Sequence, residues 1–425
     1  MFNKSLFKNI ATLAGGTAIG QALVLLSSPI LTRLYTPEEF GFYAILISIV
    51  SIFTPAVCGK YDVSILIPSS EKEASRLFAV SIYFALSLSV FLLLTSFIII
   101  SAFQLPYSYE VVGCWLLMFP IILFQYGVTS AASYYLNKFE KYSEIATGKI
   151  IQAGLVAVFS IIFGLMNLGY QGLILGHVLG MVFSTVYFLH KCRPWLNIRV
   201  FTLNKELFEL TASYKDYPIY NASTSLLNGL QTAAPTLFMS YYYGGAIAGL
   251  YSISNKVVNA PLSFISSAVS QVNLKTVIER RGSSIEVTPF FFKSVLNLML
   301  VAILPVSILF FYGEVLFSFI FGEEWGVAGR YASVLAPALG VRFVASSLVS
   351  TLNAFQLNKV IAIINISITV TVLSVFYMPE IIISDVELIG KYSLVLSVFY
   401  LALLFVVYSF CIANDRKYEY AKKSS

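Results

Sequence analysis

Charge is what this chain has least of. Asp, Glu, Lys and Arg make up 11% of its 425 residues, where a soluble domain carries about 25%. It has two histidines, His177 and His190, and four cysteines, Cys58, Cys114, Cys192 and Cys411. No pair of these has metal-ligand or redox spacing, which argues against a zinc or iron centre, and the thiols read as small buried hydrophobes. No paired carboxylates sit at a plausible active site, neither histidine has a neighbouring nucleophile, and no extramembrane segment is large enough to bind a nucleotide. Neither an enzyme nor a bound cofactor or metal is expected.

What is present is apolar. Hydrophobic residues make up 58%, Phe and Tyr number 35 and 27, and the mean hydropathy is +0.82. The apolar runs are continuous for about 20 residues, the length of a membrane helix, and do not alternate as barrel strands do. The expectation is an all-α integral membrane protein with twelve spans, at 10–31, 41–58, 77–102, 111–132, 145–166, 170–189, 217–242, 246–273, 290–312, 328–354, 360–378 and 390–412. The first run is too long for the core of a signal peptide and lacks a cleavage site. The longest connection suggests two six-helix lobes, 1–195 and 217–413, joined by a cytoplasmic linker at 196–216 and followed by a basic tail at 414–425.

Charge asymmetry orients these spans. With both termini cytoplasmic, 21 Lys and Arg fall inside and three (Arg33, Arg330, Lys391) outside, the pattern of a positive-inside topology. The net charge of +6 is then a topology signal and calls for no nucleic acid.

A repeat organises the chain. Pro29 and Pro55 lie 26 residues apart, as do Pro235 and Pro261, at an offset of 206. Between them Gly41-Phe42-Tyr43-Ala44-Ile45 parallels Gly249-Leu250-Tyr251-Ser252-Ile253, and Leu136-Asn137-Lys138-Phe139 later parallels Leu352-Asn353-Ala354-Phe355. Two six-span halves insert with the same orientation, so the repeats are parallel and predict a central cavity between pseudo-symmetric lobes. The four prolines, together with Lys60 and Asp62, read as gating positions, with Pro29 and Pro235 as hinges. Gly172, Gly176 and Gly180 form a ridge for close helix packing.

Polar residues inside the spans fall on helical stripes. One runs through Ser252, Lys256, Asn259, Ser263, Ser266 or Ser267, and Ser270; a second through Asn228 and Gln231; a third through Arg342, Ser346, Ser350 and Asn353. Gln125, Thr129 and Ser133 make a shorter one. Single hydroxyls at such places are commonly glue between helices, but stripes this long that include cations fit a water-filled cavity wall better. Lys256 and Arg342 lie ~15 and ~20 Å deep at 1.5 Å per residue, near the middle of the bilayer, where a cation faces a partner or a cavity. Lys149 is nearer an end. No Asp or Glu falls well within a span; Asp62 and Asp216 read as solvated charges at helix ends. Cations and amides without acids suit an anionic ligand such as a phosphate, and Asn, Gln and Tyr suit sugar hydroxyls.

The stretch GGTAIGQALVLLSSPILTRLYTPEEFGFYA (15–44), followed by Lys60-Tyr61-Asp62, resembles the O-antigen flippases. These are polysaccharide-biosynthesis members of the multidrug/oligosaccharidyl-lipid/polysaccharide exporter superfamily. GLILGHVLG (172–180), GLYSISNKVVNAPLSF (249–264) and FGEEWGVAGRYASVLAP (321–337) are similar to it more loosely. The resemblance implies a bacterial inner-membrane transporter that moves undecaprenyl-diphosphate-linked repeat units to the periplasmic leaflet by alternating access. It also implies coupling to a H+ or Na+ gradient and company with other polysaccharide-assembly membrane proteins. Arg33, Lys256 and Arg342 carry over as cavity cations, and Arg33 and the Lys60-Tyr61-Asp62 cluster match the family pattern by position. A drug or metabolite antiporter on the same fold is the alternative; a polysaccharide polymerase, which needs a large periplasmic loop, comes third.

Overall fold

A computed structural model of the chain describes residues 4–102, 117–195, 198–202, 204–283, 285–377 and 383–424. Cys114 and the start of the expected span 111–132 lie outside them. The described residues are almost wholly helical, with no strand. In chain order the α-helices are α1 (Lys4–Leu34), α2 (Pro37–Phe53), α3 (Tyr61–Ser64), α4 (Glu71–Ala102), α5 (Met118–Lys138), α6 (Tyr142–Leu165), α7 (Gly169–Cys192) and α8 (Lys205–Ser213). They continue with α9 (Ser223–Tyr243), α10 (Gly245–Gly282), α11 (Thr288–Phe321), α12 (Gly326–Leu348), α13 (Ser350–Ala354), α14 (Asn358–Phe376) and α15 (Asp385–Ser424).

Nine helical segments among the described residues are long and apolar enough to cross a membrane. Helices α5, α9 and α10 are of comparable or greater length but fall outside that group. They carry most of the polar stripes.

The turn between α1 and α2 shows how the sequence punctuates these helices. Thr36 Oγ1 accepts from the Glu39 amide at 3.3 Å, Glu39 Oε2 accepts from the Thr36 amide at 2.8 Å, and Pro37 occupies the first helical position. Together they satisfy amide groups that a helix start leaves open. The prolines behave unequally. Pro29, Pro235 and Pro261 sit inside continuous helices, whereas Pro55 falls in a short 3-10 turn where α2 ends.

Two compact units make up the chain, residues 1–240 and 241–425. Most of α9 therefore falls in the first unit. A Cβ on Gly229 of α9 would lie 2.8 Å from the Ile52 Cα, so α9 is packed backbone-to-backbone on the end of α2.

In unit 1 the glycine ridge of α7 lies directly on α6. A Cβ on Gly176 would approach the Ser160 amide nitrogen to 2.7 Å, and one on Gly180 the Val156 nitrogen to 2.5 Å. The Tyr35 hydroxyl closes the same seam by donating to the Ser160 carbonyl at 2.6 Å. Burial, and then the Glu39 carboxylate, push that hydroxyl up to about 12, which keeps it a donor.

In unit 2, α12 packs against α10, α11 and α15. Asp415 of α15 is buried and takes the open amides at the start of α11, with Val287 N at 2.9 Å from Oδ1 and Thr288 N at 2.8 Å from Oδ2. It caps a helix 128 residues earlier in the chain. Asp415→Ala should lower stability by about 1–2 kcal/mol, as loss of a helix cap does. Thermal unfolding of the purified protein in detergent measures it, and an unchanged midpoint would remove the capping role.

Candidate functional site

Each unit contains its own polar cavity. In unit 1 a cavity of about 390 Å³ is walled by Tyr126, Ser130, Ser133 and Asn137 of α5, Lys149 and Gln152 of α6, and Thr54. Lys149 Nζ donates to Thr17 Oγ1 at 3.3 Å, which ties it loosely to α1.

Behind this wall lies Asp62, and the structure corrects its reading as a solvated charge. Asp62 is 6% exposed; Ser130 Oγ donates to its Oδ2 at 2.6 Å, and its Oδ1 is buried with no hydrogen-bond partner. The cause is the preceding turn. Gly59 and Lys60 both adopt positive φ (57° and 61°), a region open to Gly and costly for other residues. The turn folds α3 inward, burying Tyr61, Asp62, Ser64 and Ile65. The sequence signal was available: the apolar run Val63-Ser64-Ile65-Leu66-Ile67 continues beyond Lys60. Lys60 itself is half-buried.

In unit 2 a cavity of about 290 Å³ is lined by Asn259, Ser263, Ser267 and Ser270 of α10 and by Arg342, Phe343 and Ser346 of α12. The α10 stripe therefore has two jobs. Ser266, at the cavity edge, shares hydrogen bonds with Ser346 (2.8 Å) and Ser347 (3.1 Å), while Asn273 Nδ2 donates to Ser350 Oγ (2.9 Å) and Thr351 Oγ1 (3.0 Å). Those residues join helices. The hydroxyls at 263, 267 and 270 stay on the cavity face.

Arg342 lies within electrostatic reach of Tyr251, Tyr392 and Tyr400. Among the described residues, Arg342, Lys256 and Lys149 enter no ion pair. Lys256 is half-buried one turn from Asn259 and does not itself line this cavity. The two cavities correspond within the repeat. Tyr126 and Ser130 on the α5 wall stand 216 residues before Arg342 and Ser346 on the α12 wall, the offset that relates Leu136 to Leu352.

Several expected wall residues lie elsewhere. Gln125 is buried between helices, where its Nε2 donates to the Val178 carbonyl at 3.4 Å; it joins α5 to α7 and does not line the unit 1 cavity. Arg33, Asn228 and Asn353 are exposed and Gln231 is half-buried, and none lines either described cavity. Among the described residues no three His, Cys, Asp or Glu side chains are placed to hold a metal. What the cavities offer is cation, hydroxyl and amide, which suits an anionic group carrying further hydrogen-bonding substituents.

The overall fold has several known counterparts. An inward-facing multidrug resistance MATE family transporter of the MOP superfamily superposes with a TM-score of 0.75 at 13% identity, over 93% of this chain and 96% of its own. The lipid II flippase MurJ, in an inward closed conformation, gives 0.74 at 14% identity, over 96% of this chain and 89% of its own. A MOP superfamily transporter from Pyrococcus furiosus, described as having a binding pocket of reverse polarity, gives 0.56 at 11%, over 97% and 96%. Likeness at such low identity establishes the fold. Curated proteins return no sequence match. A family model described as polysaccharide biosynthesis protein, however, matches residues 30–329. The chain thus belongs to the polysaccharide biosynthesis protein family.

Proposed function

We propose that this protein is a flippase that carries an undecaprenyl-diphosphate-linked oligosaccharide, an O-antigen or similar surface-polysaccharide repeat unit, across the bacterial inner membrane by alternating access. The observation that carries this is the unit 2 cavity. Its cation, Arg342, has no carboxylate partner among the described residues, and it is flanked by serine hydroxyls and Asn259. A diphosphate takes the guanidinium, and sugar hydroxyls take the serines and amides. The family supports the same reading. On it the chain crosses the membrane twelve times with both termini cytoplasmic, works beside other polysaccharide-assembly membrane proteins, and draws on a H+ or Na+ gradient. A deletion strain should accumulate lipid-linked repeat units facing the cytoplasm; their normal arrival at the outer leaflet would overturn the proposal.

Pro29 and Pro235 are the hinges in this scheme, since each removes a backbone hydrogen bond within a long helix. Pro29→Ala and Pro235→Ala should slow transport several-fold with the protein still folded. Wild-type rates in both would remove the hinges and leave the cavities untouched.

A drug or metabolite antiporter is the second reading, and one observation favours it: Asp62 is a buried acid with an unpartnered oxygen. Export of a cationic dye by the reconstituted protein, lost in Asp62→Asn, would put this reading first.

A further inference from the structure

One buried titratable group is left unused by the cavities and by the flippase reading. His177 is more than nine-tenths buried within α7. Both its ring nitrogens meet phenols: the Tyr43 hydroxyl stands 2.9 Å from Nδ1 and the Tyr126 hydroxyl 3.4 Å from Nε2. A neutral imidazole donates at one nitrogen and accepts at the other, while an imidazolium donates at both. A carbonyl neighbour could only accept and would favour the protonated side of the ring. A phenol hydroxyl does either. When a proton from water lands on the bare nitrogen, the phenol that had donated there turns to accept, and the ring is satisfied in both charge states.

Tyr126 is also a wall residue of the unit 1 cavity, so the hydrogen bond shared by Tyr126 and His177 reaches that cavity's surface. The repeat gives this an independent meaning. Tyr126 corresponds to Arg342 at the offset of 216, Tyr43 corresponds to Tyr251 in the paired Gly41 and Gly249 segments, and His177 falls one residue from the place of Tyr392. In unit 2 that trio is also brought together: Tyr251, Tyr392 and Arg342 lie within electrostatic reach of one another. Unit 2 thus holds a permanent cation in its cluster, where unit 1 holds an imidazole.

We propose that His177 is a reversible proton-binding site, and that its imidazolium form strengthens anion binding in the unit 1 cavity while its neutral form weakens it. The linkage rests on reading the cavities as anion sites. The titratable groups that face this region are Tyr43 from α2, Tyr126 from α5, Lys149, the cavity cation of α6, and Asp62 of α3, held by Ser130 behind the cavity wall. Tyr35 bonds to Ser160 beside Gly176, and Glu39 with Tyr170 lies toward the Gly169 end of α7. Linkage is reciprocal, so a proton that favours the anion is itself favoured by it.

The chain's two histidines make the test direct. In the full-length protein in lipid nanodiscs, His190→Gln leaves one imidazole, and NMR of labelled histidine then reports His177 alone. Its resonances should move between about pH 5 and about pH 8, the range in which imidazole titrates. Resonances fixed across that range would overturn the proposal. Sulfate keeps its charge over these pH values and serves as the anion probe, in an Arg342→Gln background so that unit 1 is read. Sulfate should bind about tenfold tighter at the acid end, a linkage typical of coupled sites, and equally at both ends in His177→Gln. Tyr126→Phe, which keeps the imidazole and removes its link to the wall, should shrink the dependence. Equal binding at both ends in the parent, or a dependence that survives His177→Gln, would overturn the proposal, as would no sulfate binding at either end. Proton-linked sulfate binding in a chain whose deletion leaves repeat units transported normally would sustain it and remove only the flippase reading.

Discussion

Arg342→Gln should reduce surface polysaccharide by about 10- to 100-fold, and Lys256→Gln, one turn from the wall residue Asn259, by less, in each case while the protein stays in the membrane at normal abundance. A hydrogen bond to a charged group contributes about 1.5–3 kcal/mol, and 1.4 kcal/mol is about a factor of ten. The loss should be one of function and not of folding. Neither cation has an ion-pair partner among the described residues, so neutralising it strands no buried opposite charge, the usual reason such substitutions unfold a protein. Arg342→Lys should fall between, because it keeps the charge but loses the planar fork that grips two oxygens at once. Normal polysaccharide with normal expression in both Gln variants would remove the site assignment, though not the fold.

A large effect on folding is expected at Gly176. The obstacle to a side chain there is the Ser160 backbone, with its nitrogen 2.7 Å and its Cα 2.9 Å from an added Cβ. Backbone cannot rotate aside as a long side chain would, so α6 and α7 must separate. Gly176→Ala should cost about 1–3 kcal/mol, the range for overpacking a tight core, and Gly176→Leu more. Thermal unfolding and membrane abundance report it. The control is Gly15→Ala in α1, where an added Cβ meets nothing within 4 Å. That change should be neutral or stabilising by about 0.5–1 kcal/mol, since Gly is costly inside a helix. If Gly176→Leu is as stable as Gly15→Ala, the ridge is not a packing device.

The helices were legible because hydrophobic length and capping chemistry act locally. The Thr36-Pro37-Glu38-Glu39 turn announces itself in four letters, and the structure closes it with both reciprocal bonds. The glycine ridge was legible for a similar reason, since spacing of four puts its members on one helix face. What was not legible depended on which way a face points. The stripe of α10 mixes Asn273, which bonds α13 and lines neither described cavity, with Ser263 and Ser267 on the cavity and Ser266, which does both, and periodicity alone cannot tell these apart. Gln125 failed for the same cause: one helix face can meet a neighbouring helix at one level and water at another. Asp62 failed for a different one. Its burial follows from two consecutive residues in left-handed conformation, and a lysine gives little warning of such a turn. His177 carries no motif of its own, and its two phenols come from helices 134 and 51 residues away.

The bond from Asp415 to the amides of Val287 and Thr288 has a consequence in time. During synthesis α11 emerges long before the residue that completes its first turn, with 128 residues made between Val287 and Asp415. For that interval the start of α11 must borrow water or headgroups to satisfy its amides. Unit 2 can therefore thread its helices in order but cannot lock them in order. Ribosome-stalled chains that stop short of residue 415 should accordingly leave α11 open to proteolysis near Val287, and chains released beyond it should not.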